Sequence, residues 1–120
     1  IKNNHLTAAG GVRAAVRAAQ AARPHYMRIE VEVESEADLR EAIAAGADII
    51  MLDNQTPDQL RALVAVARAL GPDVVLEASG GVTMESVRTI AQTGVDIIST
   101  SAITMGAPAA NLSLRLLTPD

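Results

Sequence analysis

Gly46-Ala47-Asp48-Ile49-Ile50 is the first of three copies of one pattern: a glycine, any residue, an aspartate and two β-branched residues. The other copies are Gly71-Pro72-Asp73-Val74-Val75 and Gly94-Val95-Asp96-Ile97-Ile98. Each copy follows a stretch with helical periodicity, so the pattern predicts a helix that ends near the glycine and a buried strand that begins after it. Three such units in a row predict an α/β fold, with a parallel sheet made of alternating βα units.

Helix caps and periodicity place the other elements along the chain. Ser35 and Thr56 are expected helix N-caps, and Pro57 follows at a first helical position. In chain order the sequence predicts a helix over 8–22, a strand over 27–33, a helix over 35–46, a strand Asp48–Leu52, a helix over 56–70, a strand Val74–Glu77, a helix over 83–94, a strand Ile97–Ser99, a short helix and loop over 102–110, and a last strand Leu112–Leu117. Because no linker interrupts this order, we expect residues 1–120 to form one segment without an internal domain boundary.

The composition argues against several classes of protein. Hydrophobic residues make up 49% of the 120 residues but aromatic residues only 1%, so the core must be built from Ala, Val, Ile and Leu. The chain has no run of about 18 apolar residues and no signal-peptide pattern, which predicts no membrane span and no membrane partner. The absence of cysteine excludes disulfides and thiolate chemistry and predicts a cytoplasmic location. The net charge of −4 predicts no nucleic-acid partner.

The first residues, Ile1-Lys2-Asn3-Asn4-His5, begin in the middle of a pattern and lack a methionine. A complete β/α barrel takes about 250 residues, and this chain has 120. We therefore expect the segment to be part of a longer polypeptide. Lys2 and His5 at the end of a strand would suit an anionic substrate, although a simple surface position fits the same two residues equally well.

Acidic residues occur in two neighbouring predicted strands. Glu30 and Glu32 alternate with apolar residues in the first, and Asp53 ends the second. One interpretation is an edge strand with a solvated face, and the other is a polar barrel interior that is open to a ligand. Asp53 favours the second interpretation, because both strands then direct a carboxylate to the same edge of the sheet. Two carboxylates at that edge suit ribose hydroxyls or a magnesium ion.

Two loops later in the chain are rich in small and hydroxyl-bearing residues. Ser79-Gly80-Gly81 lies between a predicted strand and helix, and Ser99-Thr100-Ser101-Ala102 follows the next strand. Glycine lets the backbone approach an anion closely, and free N–H groups at a helix start near Thr83 would favour negative charge. Each loop alone is compatible with a simple turn. Together they predict a phosphate site of the kind that barrels form after their last strands.

Five motifs occur in order along the chain: Ile1-Lys2-Asn3-Asn4-His5, Ile29-Glu30-Val31-Glu32-Val33, Ile50-Met51-Leu52-Asp53-Asn54, Leu76-Glu77-Ala78-Ser79-Gly80-Gly81 and Gly94-Val95-Asp96-Ile97-Ile98. Together they resemble the quinolinate phosphoribosyltransferase family. The resemblance covers the whole chain and implies the carboxyl-terminal part of a TIM-like β/α barrel, without the amino-terminal domain and the first barrel strands. It implies a pentosyltransferase of NAD biosynthesis, which joins quinolinate to phosphoribosyl pyrophosphate and forms nicotinate mononucleotide, pyrophosphate and carbon dioxide.

The resemblance also implies roles for single residues. Lys2 would contact the quinolinate carboxylates. Glu32 and Asp53 would hold the ribose hydroxyls or the magnesium ion bound with phosphoribosyl pyrophosphate, and these three residues would be catalytic. The residues implied for a cradle around the 5′-phosphate are Ser79, Gly80, Gly81, Thr100, Ser101 and Ala102. His5 and Glu77 complete motifs without a specified contact.

Several positions depart from the family pattern. Asn3 takes the place of an acid, Thr100-Ser101 that of Val-Gly, Met105 that of a histidine and Asn111 that of an aspartate. The resemblance further implies a homodimer or larger homo-oligomer of the complete enzyme. Two alternatives stay open. One is a non-catalytic αβ fragment that needs other segments for activity, and the other is a related phosphoribosyltransferase for another ring acid.

Overall fold

The computed structural model describes residues 1–117, which form a sheet of four parallel strands with helices between them. The elements in chain order are α1 (Asn3–Ala9), α2 (Val12–Ala22), β1 (Glu30–Val33), α3 (Glu36–Ala45), β2 (Ile49–Asp53), α4 (Pro57–Leu70), β3 (Val75–Ser79), α5 (Val87–Ala91), β4 (Ile97–Ile98) and α6 (Ala102–Met105). Within these residues, none of the helices has the length and apolar character that a membrane span requires.

The order of the strands in the sheet is the same as their order in the chain. The sheet reads β1-β2-β3-β4, and all neighbouring strands are parallel. Helices α3, α4 and α5 make the three connections. A sheet that winds in one direction is typical of a β/α barrel, whereas a doubly wound sheet reverses at a switch point. The predicted α/β fold, a partial TIM-like barrel of parallel strands and alternating βα units, is confirmed.

The parallel register gives the sheet two chemically different faces. Successive residues of a strand point to opposite sides, and the pairs Glu32↔Met51 and Asp53↔Ser79 fix which residues share a side. The side that the helices cover carries buried apolar residues, which are Val31, Val33, Ile50, Leu52, Leu76 and Ala78. The opposite side, called the polar face below, carries Glu30, Glu32, Met51, Asp53, Glu77, Ser79 and Ser99.

The helices pack their apolar sides against the covered face of the sheet. Val16 of α2, Leu39 of α3, and Leu60 and Ala67 of α4 are almost completely buried in this core. The buried hydrophobic residues are all Ala, Val, Ile or Leu, as the composition predicted. Burial of one such large aliphatic side chain is worth about 1.5 to 3 kcal/mol, so this aliphatic core holds the helices on the sheet without any aromatic residue.

The aspartate of the repeated pattern anchors the beginning of a neighbouring strand. Asp48, just before β2, accepts a hydrogen bond from the N–H of Ile29 at 2.7 Å. Asp96, just before β4, accepts one from the N–H of Leu76 in β3, also at 2.7 Å. Each aspartate therefore connects the start of its own strand to the start of the preceding strand, and it satisfies a backbone donor there.

An arginine completes each of these two anchors. Arg23 forms an ion pair with Asp48, and Nη2 of Arg68 donates to Asp96 at 2.6 Å. The backbone hydrogen bond and then the Arg23 guanidinium hold the pKa of Asp48 below its usual value. Burial raises the pKa of Asp96, but its backbone hydrogen bond and Arg68 outweigh that effect, and the net pKa is lowered. Both aspartates are therefore stabilised in the ionised form.

The remaining copy of the pattern does not form such an anchor. Gly46 and Gly94 adopt positive φ angles of 82° and 95°, whereas Gly71 has a φ of −150°. The chain therefore enters β3 along a different path. Within residues 1–117, the hydrogen bonds and ion pairs include none to the carboxylate of Asp73. Three similar sequences thus produce two equivalent contacts and one different turn.

Asp48→Asn should lower the free energy of unfolding by about 1 kcal/mol at neutral pH, because the amide loses the charge that pairs with Arg23. The lowered pKa of Asp48 means that this stabilisation is complete at neutral pH and is lost as the pH falls through that pKa. The two proteins should therefore converge in stability in acid. Urea unfolding at several pH values measures the difference. Asp73→Asn is the matched control, and an equal loss in that variant would contradict the anchor.

Several element bounds differ from the predicted ones. The predicted helix over 8–22 begins only at Val12, because Gly10 and Gly11 adopt φ angles of 85° and 125° and separate α1 from α2. The predicted strand over 27–33 is shorter and forms only as β1. Strands β2 and β3 end later than predicted, at Asp53 and Ser79, so these two site residues belong to the strands themselves.

Two predictions near the carboxyl end are wrong in part. The helix predicted over 83–94 forms only as α5, because residues 83–86 make a hydrogen-bonded turn. Leu112–Leu117 form no strand, and their leucines are between 84% and 92% exposed. Within residues 1–117, none of the four strands pairs with this stretch.

Candidate functional site

The polar face ends in a row of functional groups at the carboxyl ends of the strands. Asp53 and Ser79 are paired across β2 and β3, and Glu32 lies on the neighbouring β1, opposite Met51. Glu32, Asp53 and Ser79 are all partly buried. The strand β1 does lie at an edge of the described sheet, but the partial burial of Glu32 and Asp53 favours a polar barrel interior over a fully solvated face.

The loops after β3 and β4 border an open cavity of about 610 Å³. Its lining includes all of the residues that the resemblance implied for a phosphate cradle, which are Ser79, Gly80, Gly81, Thr100, Ser101 and Ala102. Val82, Thr83, Ser99 and Thr104 complete the lining. These residues offer hydroxyl and backbone groups but no charged side chain. The cavity is therefore suited to hold an anion through hydrogen bonds rather than through ion pairs.

The two glycines of the loop after β3 both adopt left-handed backbone conformations. The φ angle is 88° at Gly80 and 61° at Gly81. A Cβ atom at Gly80 would also collide with Asn54, whose backbone nitrogen lies 2.9 Å from that position. Within residues 1–117 the hydrogen bonds include none donated by the N–H groups of these glycines. Both N–H groups are therefore available to an anion in the cavity.

Thr100 uses its hydroxyl to hold the two loops together. Its Oγ1 donates to the carbonyl of Val82 at 3.0 Å and accepts the N–H of Ala102 at 3.1 Å. A hydroxyl has a single hydrogen to donate, and here Val82 takes it. The hydroxyl of Ser101 makes no such bond within the described residues, which leaves it the freer of the two. The sequence did not reveal this connecting role, because it depends on a carbonyl in the other loop.

The turn after the glycines does not supply the free N–H groups expected near Thr83. The N–H of Thr83 donates to Oγ of Ser86 at 2.9 Å, and the N–H of Ser86 donates to Oγ1 of Thr83 at 3.3 Å. The predicted helix start at this position is wrong, because these reciprocal bonds form a turn before α5. Among the described residues, the unpaired donors for an anion therefore include the N–H groups of the two glycines and the hydroxyls of Ser79 and Ser101.

Thr100→Val should lower the free energy of unfolding by about 1 kcal/mol, because it leaves the carbonyl of Val82 and the N–H of Ala102 without their partner. The Ala102 amide should also exchange its hydrogen with solvent faster. Hydrogen–deuterium exchange read at single residues measures this change. Ser101→Ala is the matched control, since that hydroxyl connects nothing. Unchanged exchange in Thr100→Val would show that other contacts hold the loops together.

Lys2 lies beside the acidic end of β1. The N–H of Glu32 donates to the carbonyl of Ile1 at 2.9 Å, so Ile1 pairs with β1 and brings Lys2 to the same edge of the sheet. The Nζ atom of Lys2 is 3.9 Å from Oε2 of Glu32. The Lys2 side chain is 73% exposed, which leaves its ammonium accessible to an anionic ligand. The structure thus brings the predicted catalytic residues Lys2 and Glu32 together.

His5 has a contact that needs no ligand. It lies in the first turn of α1, and its Nδ1 accepts the N–H of Lys2 at 3.0 Å. This bond satisfies a donor that the helix leaves unpaired at its start. A role in helix capping therefore accounts for His5 without an anionic ligand.

Two carboxylates lie close together deeper on the polar face. Glu77 is 8% exposed and accepts a hydrogen bond from the hydroxyl of Ser99. The Oε1 atom of Glu30 is buried and, within residues 1–117, has no hydrogen-bond partner. Burial and then the charge of Glu77 raise the pKa of Glu30. Ionisation of Glu30 therefore destabilises the folded protein.

Glu30→Gln should stabilise the protein increasingly as the pH rises above about 4.3, the ordinary pKa of a glutamate side chain. A raised pKa means that the folded protein holds the proton more tightly than the unfolded chain. The stability that comes with this proton is therefore lost as the pH rises through the raised pKa. The Glu30→Gln variant carries a neutral amide at every pH, so its stability does not fall in this way. Thermal unfolding of both proteins at several pH values measures the difference in their melting temperatures. A difference that stays constant with pH would show that Glu30 is not titrating in that range.

Asn54 is a candidate that the sequence reasoning left out of the site. It follows Asp53 directly, has a φ angle of 52° and donates from Nδ2 to Oδ2 of Asp53 at 2.7 Å. Asparagine tolerates left-handed backbone, and Asn54 comes directly after an aspartate that ends a strand. This combination was the one sequence signal that pointed to Asn54. Its contact with Gly80 lies across the sheet and could not be read from local sequence.

The carboxylates at this edge are suited to bind a metal ion only if a ligand supplies further oxygen atoms. Within residues 1–117, no group of three histidine or acidic side chains lies close enough together to hold a metal ion. Glu32 and Asp53 contribute two carboxylates from neighbouring strands. Magnesium is often held by one or two carboxylates together with substrate phosphates. The two residues therefore fit an ion that arrives with a phosphorylated ligand.

A family model described as quinolinate phosphoribosyl transferase, C-terminal domain, matches residues 1–115. The chain belongs to the quinolinate phosphoribosyltransferase family. It is 40% identical over 120 residues to human nicotinate-nucleotide pyrophosphorylase (carboxylating), covering 100% of this chain and 40% of the relative. It is 43% identical over 114 residues to the probable enzyme of the same name from Bacillus subtilis strain 168, covering 95% of this chain and 38% of the relative.

Solved structures agree with this family membership. The nicotinate-nucleotide pyrophosphorylase from Francisella tularensis superposes with a TM-score of 0.76 at 44% sequence identity, over 87% of this chain and 36% of that one. The resemblance of the five motifs to the quinolinate phosphoribosyltransferase family is confirmed. The chain spans about two fifths of the length of the curated relatives it matches. The roles of individual residues in this segment stay predictions.

Proposed function

We propose that this segment carries the ribose-phosphate half of the active site of a carboxylating nicotinate-nucleotide pyrophosphorylase, a pentosyltransferase of NAD biosynthesis. The reaction joins quinolinate to phosphoribosyl pyrophosphate and gives nicotinate mononucleotide, pyrophosphate and carbon dioxide. The observation that supports this most strongly is the cavity between the loops after β3 and β4, which has Ser79 in its lining and Asp53 paired with Ser79 in the sheet. A phosphate and the ribose attached to it would fit this arrangement.

The cavity suits the 5′-phosphate. Within residues 1–117, the unpaired donors in its lining include the N–H groups of Gly80 and Gly81 and the hydroxyls of Ser79 and Ser101. Backbone N–H groups of successive residues in left-handed or turn conformations form concave sites for anions. The connection that Thr100 makes between the loops keeps these donors in place before the ligand binds.

Glu32 and Asp53 suit the ribose. A carboxylate accepts hydrogen bonds from hydroxyl groups, and two of them at one edge match the two neighbouring hydroxyls of the sugar. As the bond between the anomeric carbon and pyrophosphate breaks, pyrophosphate leaves with the bonding electrons and positive charge develops on the ribose. Carboxylates fixed beside the ring stabilise this charge. The ring nitrogen of quinolinate then forms the new bond at the anomeric carbon.

Lys2 suits the acid groups of quinolinate. Its exposed ammonium lies at the same edge as Glu32, on the side away from the phosphate cavity. A cation there attracts the ring carboxylates and favours the negative charge that builds on the ring as carbon dioxide leaves. A ligand held by its ring at one end and its phosphate at the other has its reacting atoms aligned, which is a large source of rate acceleration.

Magnesium would bind together with phosphoribosyl pyrophosphate. Glu32 and Asp53 are the described residues that would hold it, and the ion would neutralise charge on the leaving pyrophosphate. Quinolinate and phosphoribosyl pyrophosphate are the proposed partners. A homodimer or larger homo-oligomer of the complete enzyme, the cytoplasmic location and the single-segment organisation of residues 1–120 stay predictions.

The test is the formation of nicotinate mononucleotide from quinolinate, phosphoribosyl pyrophosphate and magnesium. It should be run with the complete polypeptide that carries this chain and with the 120-residue chain alone. Product from the complete polypeptide only would support the alternative that this segment needs other segments for activity. Faster turnover of another ring acid would support the related phosphoribosyltransferase. No product with any ring acid would overturn the proposal.

Asp53→Ala should reduce turnover in the complete polypeptide by about 10²-fold or more, because it removes a carboxylate that stabilises charge in the transition state. Asp58→Ala is the matched control, since this aspartate lies at the exposed start of α4 and pairs with Arg61 on the surface. That variant should retain full activity. Near-normal turnover with Asp53→Ala would remove Asp53 from the catalytic residues.

A further inference from the structure

One side chain connects the end of β2 to the loop after β3. The backbone N–H of Asn54 donates to the carbonyl of Ser79 at 2.9 Å. Its side-chain Nδ2 donates to Oδ2 of Asp53 at 2.7 Å. Asn54 therefore contacts both the carboxylate proposed for the ribose and the first residue of the loop proposed for the phosphate, although it was assigned neither role.

The backbone of Asn54 is held in an uncommon conformation. Its φ angle of 52° is the one positive value at a residue other than glycine within residues 1–117. Left-handed backbone is unfavourable for most L-residues, and asparagine tolerates it better because its short amide makes local hydrogen bonds. Here the local bond is the one to the carboxylate of Asp53. The strain at Asn54 is thus coupled to the orientation of that carboxylate.

Gly80 packs directly against the amide of Asn54. A Cβ atom at Gly80 would overlap Oδ1 of Asn54 and would come within 2.9 Å of its backbone nitrogen. Because the nearest atoms include backbone, they could not move aside at low cost. The glycine therefore makes room for the asparagine, and a larger residue at position 80 would push the loop after β3 away from the end of β2.

We infer that Asn54 is a positioning residue that fixes the Asp53 carboxylate relative to the Ser79-Gly80-Gly81 loop. The inference rests on the proposed function, in which Asp53 binds the ribose and the loop binds its 5′-phosphate. The two groups of the ligand are joined by one small ring, so their binding groups must stay at a fixed separation. A displacement of about 1 Å in such an arrangement can cost a hundredfold in rate. Asn54 acts through Asp53 and needs no contact with the substrate.

Asn54→Gly in the complete polypeptide isolates this role. Glycine adopts a φ of 52° without strain and keeps the N–H that donates to Ser79, whereas the amide that donates to Asp53 is lost. We expect kcat for nicotinate mononucleotide formation to fall by about tenfold to a hundredfold, with a smaller change in KM and little change in melting temperature. Gln55→Ala is the matched control. The Gln55 amide donates to the carbonyl of Asp53 and not to its carboxylate, so kcat should be unchanged.

A double-mutant cycle with Asp53→Ala separates positioning from a general structural effect. If Asn54 acts through Asp53, then Asn54→Gly should cause little further loss once the carboxylate is gone. Losses that multiply in the double variant would overturn the inference, and so would a near-normal kcat in Asn54→Gly. Product formation by the unsubstituted protein decides the proposed function separately. If that protein forms no product, the proposed function fails together with the inference built on it.

Discussion

The pairing of β2 with β3 that sets Asp53 beside Ser79 is the constraint on which the candidate site depends. Side chains alternate along a strand, so a shift of one residue would turn Asp53 toward the helices and bring Leu52 to the polar face. The aliphatic core opposes this shift, because Leu52 and Ala78 would lose their buried contacts. The hydrophobic side of the sheet thus determines where the carboxylates and the Ser79-Gly80-Gly81 loop lie.

The polar face concentrates more negative charge than a stable interior ordinarily contains. Glu77 is buried with a hydroxyl partner from Ser99, and Glu30 has a buried oxygen with none among the described residues. Lys2 offsets part of this charge at the open edge, but its side chain is largely exposed and its pairing with Glu32 is long. Unfavourable groups of this kind are typical of functional sites, where ligand binding rather than folding selects the residues.

Local signals predicted the parts of the structure that depend on neighbouring residues. Ser35 and Thr56 cap α3 and α4 through hydrogen bonds to residues three positions later, and both were legible in the sequence. Leu112–Leu117 were predicted as a strand because alternation is local, but a strand also needs a partner, which no local pattern supplies. The roles of Thr100 and Asn54 escaped prediction for the same reason, since each depends on a contact with a loop distant in sequence. The candidate cavity could be placed from the sequence, and the contacts that shape it could not.

The Asp48 and Asp96 anchors lie at the amino ends of the strands, whereas the cavity lies at their carboxyl ends. The contacts that align the sheet are therefore separate from the contacts that would choose a ligand. Such a separation lets β/α barrels exchange one chemistry for another by loop variation alone. For protein engineering, Ser101 and Thr104 line the cavity and are the positions to vary for ligand selectivity, and the strand starts are the positions to vary for heat resistance.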